Sequence, residues 1–79
     1  MSKCKKLLDE ARAGPDNLRF TDLCRLAECY GFVQARQQGS HIVYKRPDHM
    51  DLMVFQNRQG KAVAYQVKQL LRAIEELDF

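Results

Sequence analysis

Few residues in this sequence can do chemistry. Two histidines, His41 and His49, and three cysteines, Cys4, Cys24 and Cys29, are the candidates for proton transfer, nucleophilic attack or metal binding. A structural zinc site needs about four converging ligands at recognisable spacing. These residues show no C-x-x-C or H-x-x-x-H pattern, so no metal site and no cofactor is expected. A nucleophilic triad is equally unsupported. Ser40 adjoins His41, and neighbours on a strand point to opposite faces. There is no G-x-S-x-G elbow, no Walker loop and no pair of carboxylates. What remains is His41 within GSHIVYKRP, residues 39–47. An imidazole with an ordinary pKa of about 6.5 can give or take a proton near neutral pH. His49 follows Pro47-Asp48 and reads as an exposed loop residue.

The charge of the chain is concentrated around that motif. Residues 1–31 carry a net charge of +1, residues 32–68 carry +4, and residues 69–79 carry −2. A basic middle segment favours a polyanionic partner at that surface. Arg36, Lys45 and Arg46 lie closest to His41 in sequence, and Lys61 and Lys68 follow near the start of the last helical pattern.

The elements that must position these groups are readable from periodicity. Ser2 to Ala13 places Cys4, Leu7, Leu8 and Ala11 at helical spacing, and Gly14-Pro15 ends that helix. A second helix starts near Phe20 or Thr21, with Leu23, Leu26, Ala27 and Tyr30 on one face and Gly31 as its left-handed cap. Phe32–Gln37 and Ser40–Arg46 alternate and read as a hairpin turning at Gln38-Gly39. Pro47-Asp48-His49 breaks the second strand, and DLMVF, residues 51–55, makes a third. Ala62 to Leu77 is a helix with Val63, Val67, Leu70, Leu71, Ile74 and Leu77 inward. The order ααβββα predicts an α+β fold, a three-stranded antiparallel sheet with helices on one face. In that arrangement Ile42 and Tyr44 turn to the helices, and His41, Val43 and Lys45 occupy the open face. Alternation sends Arg46 to the face opposite His41 unless the strand is ending there.

A chain of 79 residues, 46% apolar, makes one small domain with a single shallow core. It holds no apolar run near the ~20 residues needed to cross a bilayer. The start, MSKCKKLLDEARAG, places Asp9, Glu10 and Arg12 where an export signal needs apolar residues. An odd number of cysteines without paired spacing argues against a disulfide framework and for a reducing, cytoplasmic setting.

Taken in order, several residues resemble the HicA toxins, the small ribonuclease halves of HicA–HicB toxin–antitoxin pairs. They are the helix ending in Gly31-Phe32, Arg36, the turn into Gly39-Ser40-His41, Tyr44, Lys45, the Pro47-Asp48 turn, an apolar strand and a final helix. The resemblance covers about residues 20–77, so residues 1–19 form an added N-terminal helix and turn before a core of residues 20–79. It implies a double-stranded-RNA-binding-domain-like fold and a metal-independent endoribonuclease that cleaves mRNA as single-stranded RNA. It further implies that His41 is the catalytic residue, presented by Gly39 and Ser40, and that a HicB-like antitoxin covers the site. Many HicA proteins place a Gly-Thr pair before the last helix. This chain has QGKAVAYQVKQ there, and no residue takes that role.

RNA carries its own nucleophile, the 2′-hydroxyl. Cleavage then needs a base for that hydroxyl, an acid for the leaving 5′-oxygen and positive charge on the phosphate. His41 fits the base or the acid. Arg36, Gly39, Ser40, Lys45, Arg46, Lys61 and Lys68 are the expected RNA contacts. Two other readings compete: a non-catalytic RNA-binding module of the same fold, which needs basic residues but no special histidine, and a protein-interaction domain using the open sheet face.

Overall fold

The computed structural model describes residues 3–77. In chain order these form α1 (Lys3–Ala13), a 3₁₀ turn (Pro15–Asn17), α2 (Phe20–Cys29), β1 (Val33–Gln38), β2 (His41–Arg46), β3 (His49–Gln56) and α3 (Ala64–Glu76). The sheet is antiparallel with strand order β1-β2-β3. The expected ααβββα arrangement is present. The expected start of α1 at Ser2 lies outside the described residues.

Helices cover one face of the sheet because each element has one apolar side. Leu23, Leu26 and Ala27 of α2 meet Val67, Leu70, Ala73 and Ile74 of α3 above Tyr44, Met53 and Phe55 of the sheet, all buried. Ala11 of α1 is fully buried in the same cluster, and Leu7 and Leu8 pack against it. The N- and C-terminal halves are also tied by backbone. Phe20 N–H donates to Gly60 O, and Ala62 N–H to Leu18 O, each at 3.0 Å.

The cysteine reading requires correction. Cys4 and Cys29 form a disulfide joining the first turn of α1 to the end of α2, with Cα atoms 5.7 Å apart. Packing of the two helices brings the pair together across 25 residues of chain, so no local spacing announces it.

Several boundaries shift by small steps with large consequences. The first hairpin turns at Gly39-Ser40, not Gln38-Gly39, because Gln38 pairs directly with His41. Gly39 has φ +60° and Ser40 does not have positive φ, which is the pattern of a type II′ two-residue turn. Its virtual Cβ would meet nothing within 4 Å, so conformation rather than close approach demands glycine here. The second hairpin turns at Pro47-Asp48, and Arg46 pairs with His49. His49 therefore opens β3 instead of sitting in a loop. Its side chain is only 10% exposed, edge-on to Phe32 at 5.9 Å with Nε2 3.4 Å from Glu76 Oε1.

The end of α2 shows why Gly31 is required. Phe32 N–H donates to Ala27 O and Gly31 N–H to Glu28 O, the paired bonds of a Schellman cap, with Gly31 at φ +89°. A Cβ there would also lie 2.7 Å from Arg46 Nη1. The Arg46 guanidinium donates to the Tyr30 carbonyl and to the Asp48 carboxylate. Gly31→Ala is therefore expected to destabilise the fold by about 1–2 kcal/mol from the left-handed backbone alone. A urea midpoint equal to that of the unsubstituted protein would refute this.

Candidate active site

The open face of the sheet is built from three short rows. His41, the first residue of β2, lies between Gln38 on β1 and Gln56 on β3. Two residues along, Val43 lies between Arg36 and Val54. Lys45 follows beside Val33. The opposite set, Ile42, Tyr44, Met53 and Phe55, points into the core or packs against it. His41 and Lys45 are exposed on the same face, about 13 Å apart at the rise of a strand.

Arg36 reaches this face through an irregularity. Val33 pairs with Lys45 and Gln34 with Tyr44, but the register then shifts so that Arg36, not Ala35, opposes Val43. The extra residue on β1 is a bulge, which turns subsequent side chains over. Strict alternation from the buried Phe32 would send Arg36 toward the helices.

The His41 end of the sheet is closed by the loop after β3. Asn57 N–H donates to Ser40 O at 2.8 Å. Arg58 and Lys61 exchange backbone hydrogen bonds at 3.0 Å around Gln59-Gly60, and the Asn57 side chain accepts from Gly60 N–H at 2.7 Å. Lys61 thus sits exposed at the rim of the His41 end.

Of the expected RNA contacts, Arg36, Lys45 and the Gly39-Ser40 turn share the open face or its end with His41, and Lys61 stands at the rim. Arg46 does not join them. Alternation turns it to the helical side, where it stays on Tyr30 and Asp48 with its side chain 18% exposed. Lys68 is exposed on α3, in the helical layer. Gln38 and Gln56 were not anticipated beside His41. Gln38 is legible once the turn is known to have two residues, whereas Gln56 follows only from the β2–β3 register.

The remaining candidate nucleophile is suppressed. The Cys24 thiol is pushed up by burial, a shift opposed by its hydrogen bond with Tyr44 and reinforced by the nearby Glu28 carboxylate. A thiol held protonated is a poor nucleophile. Tyr44 is also raised, first by burial and then by its bond to Glu28, whose Oε2 accepts from the phenol at 2.8 Å. Among the described residues no group of three or more His, Cys, Asp or Glu could hold a metal ion, and no helix is long and apolar enough to cross a membrane.

A family model described as the HicA toxin of bacterial toxin–antitoxin systems matches residues 20–76. The chain belongs to the HicA toxin family. No curated protein and no solved structure is significantly similar to it. The HicA match begins at the first residue of α2 and ends at the last of α3, so it takes in the whole sheet and His41. It leaves out α1, which the HicA core nonetheless receives through Ala11 and the Cys4–Cys29 bond.

Proposed function

We propose that this HicA-family toxin is a metal-independent endoribonuclease that uses His41 and is inhibited by a HicB-like antitoxin. The observation that carries the reading is the placement of His41. It is the only imidazole on the open sheet face among the described residues, with Arg36 and Lys45 on the same face. In this mechanism His41 takes the proton of a ribose 2′-hydroxyl. The 2′-oxygen attacks the adjacent phosphorus, the bond to the 5′-oxygen breaks, and that oxygen leaves with a proton from water. A 2′,3′-cyclic phosphate and a 5′-hydroxyl result. Arg36 and Lys45 bear the phosphate charge, with Lys61 at the rim; Gln38 and Gln56 offer amides to the nucleotide held between them. Lys45, about 13 Å from His41, suits a phosphate one or two nucleotides away. Arg36→Ala and Lys45→Ala are each expected to reduce the salt slope of RNA binding by about 0.7. Equal slopes in the substituted and unsubstituted proteins would remove both from the footprint.

The same face suits an antitoxin. Val33 and Val54 expose 53% and 40% of their surface there, beside the cations. An acidic partner with an apolar centre would bury this row and shield His41.

The decisive experiment incubates the purified full chain with single-stranded RNA in EDTA and follows fragments on a gel. Cleavage that stops when a HicB-like partner is added supports the reading. Intact RNA with saturable, salt-sensitive binding would replace it with a non-catalytic RNA-binding module. Intact RNA and no binding would leave only a protein-interaction role for this face.

A further inference from the structure

The outward side of α3 carries groups that neither the core nor the His41 face uses. Its inner side is Val67, Leu70, Ala73 and Ile74. Its outer side presents Tyr65, Lys68 and Arg72, spaced three and four residues apart and therefore stacked along one stripe of the helix. Tyr65 is 67% exposed and lies outside the hydrophobic core, an unusual place for a large aromatic ring. Its hydroxyl accepts from the Gln69 amide at 3.0 Å, which fixes the ring along the helix. The four side chains line one shallow depression of about 180 Å³.

Two contacts fix how this stripe lies relative to His41. Gln66, near the start of α3, accepts from Gln56 N–H at 2.7 Å, and Glu76, at its end, lies 3.4 Å from His49 at the start of β3. The helix therefore runs antiparallel to β3, with its Tyr65 end beside the strand end that pairs with His41. Gln69 and Arg72 also line the groove between α3 and β3, together with Leu52, whose strand edge separates the groove from the open face. A surface path thus leads from His41 past Gln56, over the β3 edge, to Tyr65 and down α3.

We infer that this stripe is a second contact for the RNA strand, resting on the reading of the chain as an RNA-cleaving protein. A strand leaving His41 crosses the β3 edge, stacks a base on the Tyr65 ring and lays successive phosphates against Lys68 and Arg72. Base stacking on an exposed aromatic with cations tracking the backbone is how single strands are held without sequence preference. The polarity of the helix surface limits the track: Glu75 and Glu76 occupy the last turn and repel a phosphate chain there. The long strand is therefore held by two surfaces, and a short one by the His41 face alone.

The test uses the full chain and fully 2′-O-methylated RNA, which lacks the attacking hydroxyl and stays intact. Affinity is measured for a 4-nucleotide and an 18-nucleotide strand across a salt series, for the unsubstituted protein, Tyr65→Ala and Lys68→Ala/Arg72→Ala. Tyr65→Ala is expected to weaken binding of the long strand by about 5- to 100-fold. The double substitution is expected to lower its salt slope by about 1.4. Binding of the short strand stays as in the unsubstituted protein. Long-strand binding unchanged in both variants overturns the inference, as does an equal loss for both strands. Normal binding of both strands with loss of a co-expressed antitoxin overturns it too, because the stripe is then a protein interface. Failure of the unsubstituted protein to cut ordinary RNA would sink the nuclease reading separately, since Tyr65-dependent binding of the long strand is read without cleavage.

Discussion

His41→Ala is expected to slow RNA cleavage by about 10²- to 10⁴-fold, the usual contribution of a positioned general acid or base. It is expected to abolish growth arrest on induction. The fold should not suffer, because His41 is exposed, opens a strand, and lies on the face opposite Tyr44 and the helices. Its backbone pairing with Gln38 and Gln56 survives truncation of the ring. Binding of RNA should persist, because Arg36 and Lys45 remain on the same face. The measurement is single-turnover cleavage in EDTA, alongside thermal melting and binding to 2′-O-methylated RNA. Cleavage and arrest at the unsubstituted level would end the assignment. Loss of cleavage accompanied by a lowered melting temperature would instead make His41 a folding residue, contrary to its exposure.

The second large effect concerns the disulfide. Cys4 and Cys29 close a loop across 25 residues, which by the chain-entropy relation restricts the unfolded chain by roughly 3.5 kcal/mol. Cys29→Ser, or reduction of the native protein, should lower stability by about that amount. In a domain of this size each kcal/mol moves the melting temperature by about 4–8 °C. The loss should be nearly the same for Cys4→Ser, and the two substitutions together should cost no more than either alone, because both remove one bond. The free thiol Cys24 offers an internal control: Cys24→Ser should leave the response to reductant intact. A melting temperature indifferent to reductant would mean that the helices hold themselves together without the bond. Leu7, Leu8 and Ala11 also pack α1 on the core, so part of its docking does not depend on the bond.

Much of the architecture was legible because it rests on short-range regularities. Helical spacing at Leu23, Leu26 and Ala27 and at Val67, Leu70 and Ile74 located α2 and α3, and Gly31 marked the cap that ends α2. Alternation of Ile42 and Tyr44 against His41 and Lys45 separated the core face from the open one, and burial follows it. It also turned Arg46 away from His41, where its guanidinium meets the carbonyl end of α2 and Asp48. That contact holds the Asp48 carboxyl below the ordinary carboxylate range, chiefly through the hydrogen bond from Arg46. A depressed carboxyl contributes stability above its unfolded pKa and loses it as pH falls through the lower folded value.

Other features depended on contacts between elements distant in sequence. His49 looked like a loop residue because Pro47-Asp48 precedes it; a two-residue turn instead starts β3 at once and packs the ring on Phe32. Arg36 gains the His41 face only through the bulge on β1, and a one-residue register shift reverses every side chain after it. Gln56 becomes a neighbour of His41 through strand pairing, and the Tyr65 end of α3 comes beside it through Gln66. The sequence by itself determined the order of elements, the two faces of β2 and the histidine at its start, since local periodicity and turn chemistry decide these. The tertiary structure alone decided the Cys4–Cys29 bond, the companions of His41 and the path to α3. Those depend on how separate elements meet, and a single chain's local pattern does not encode the meeting.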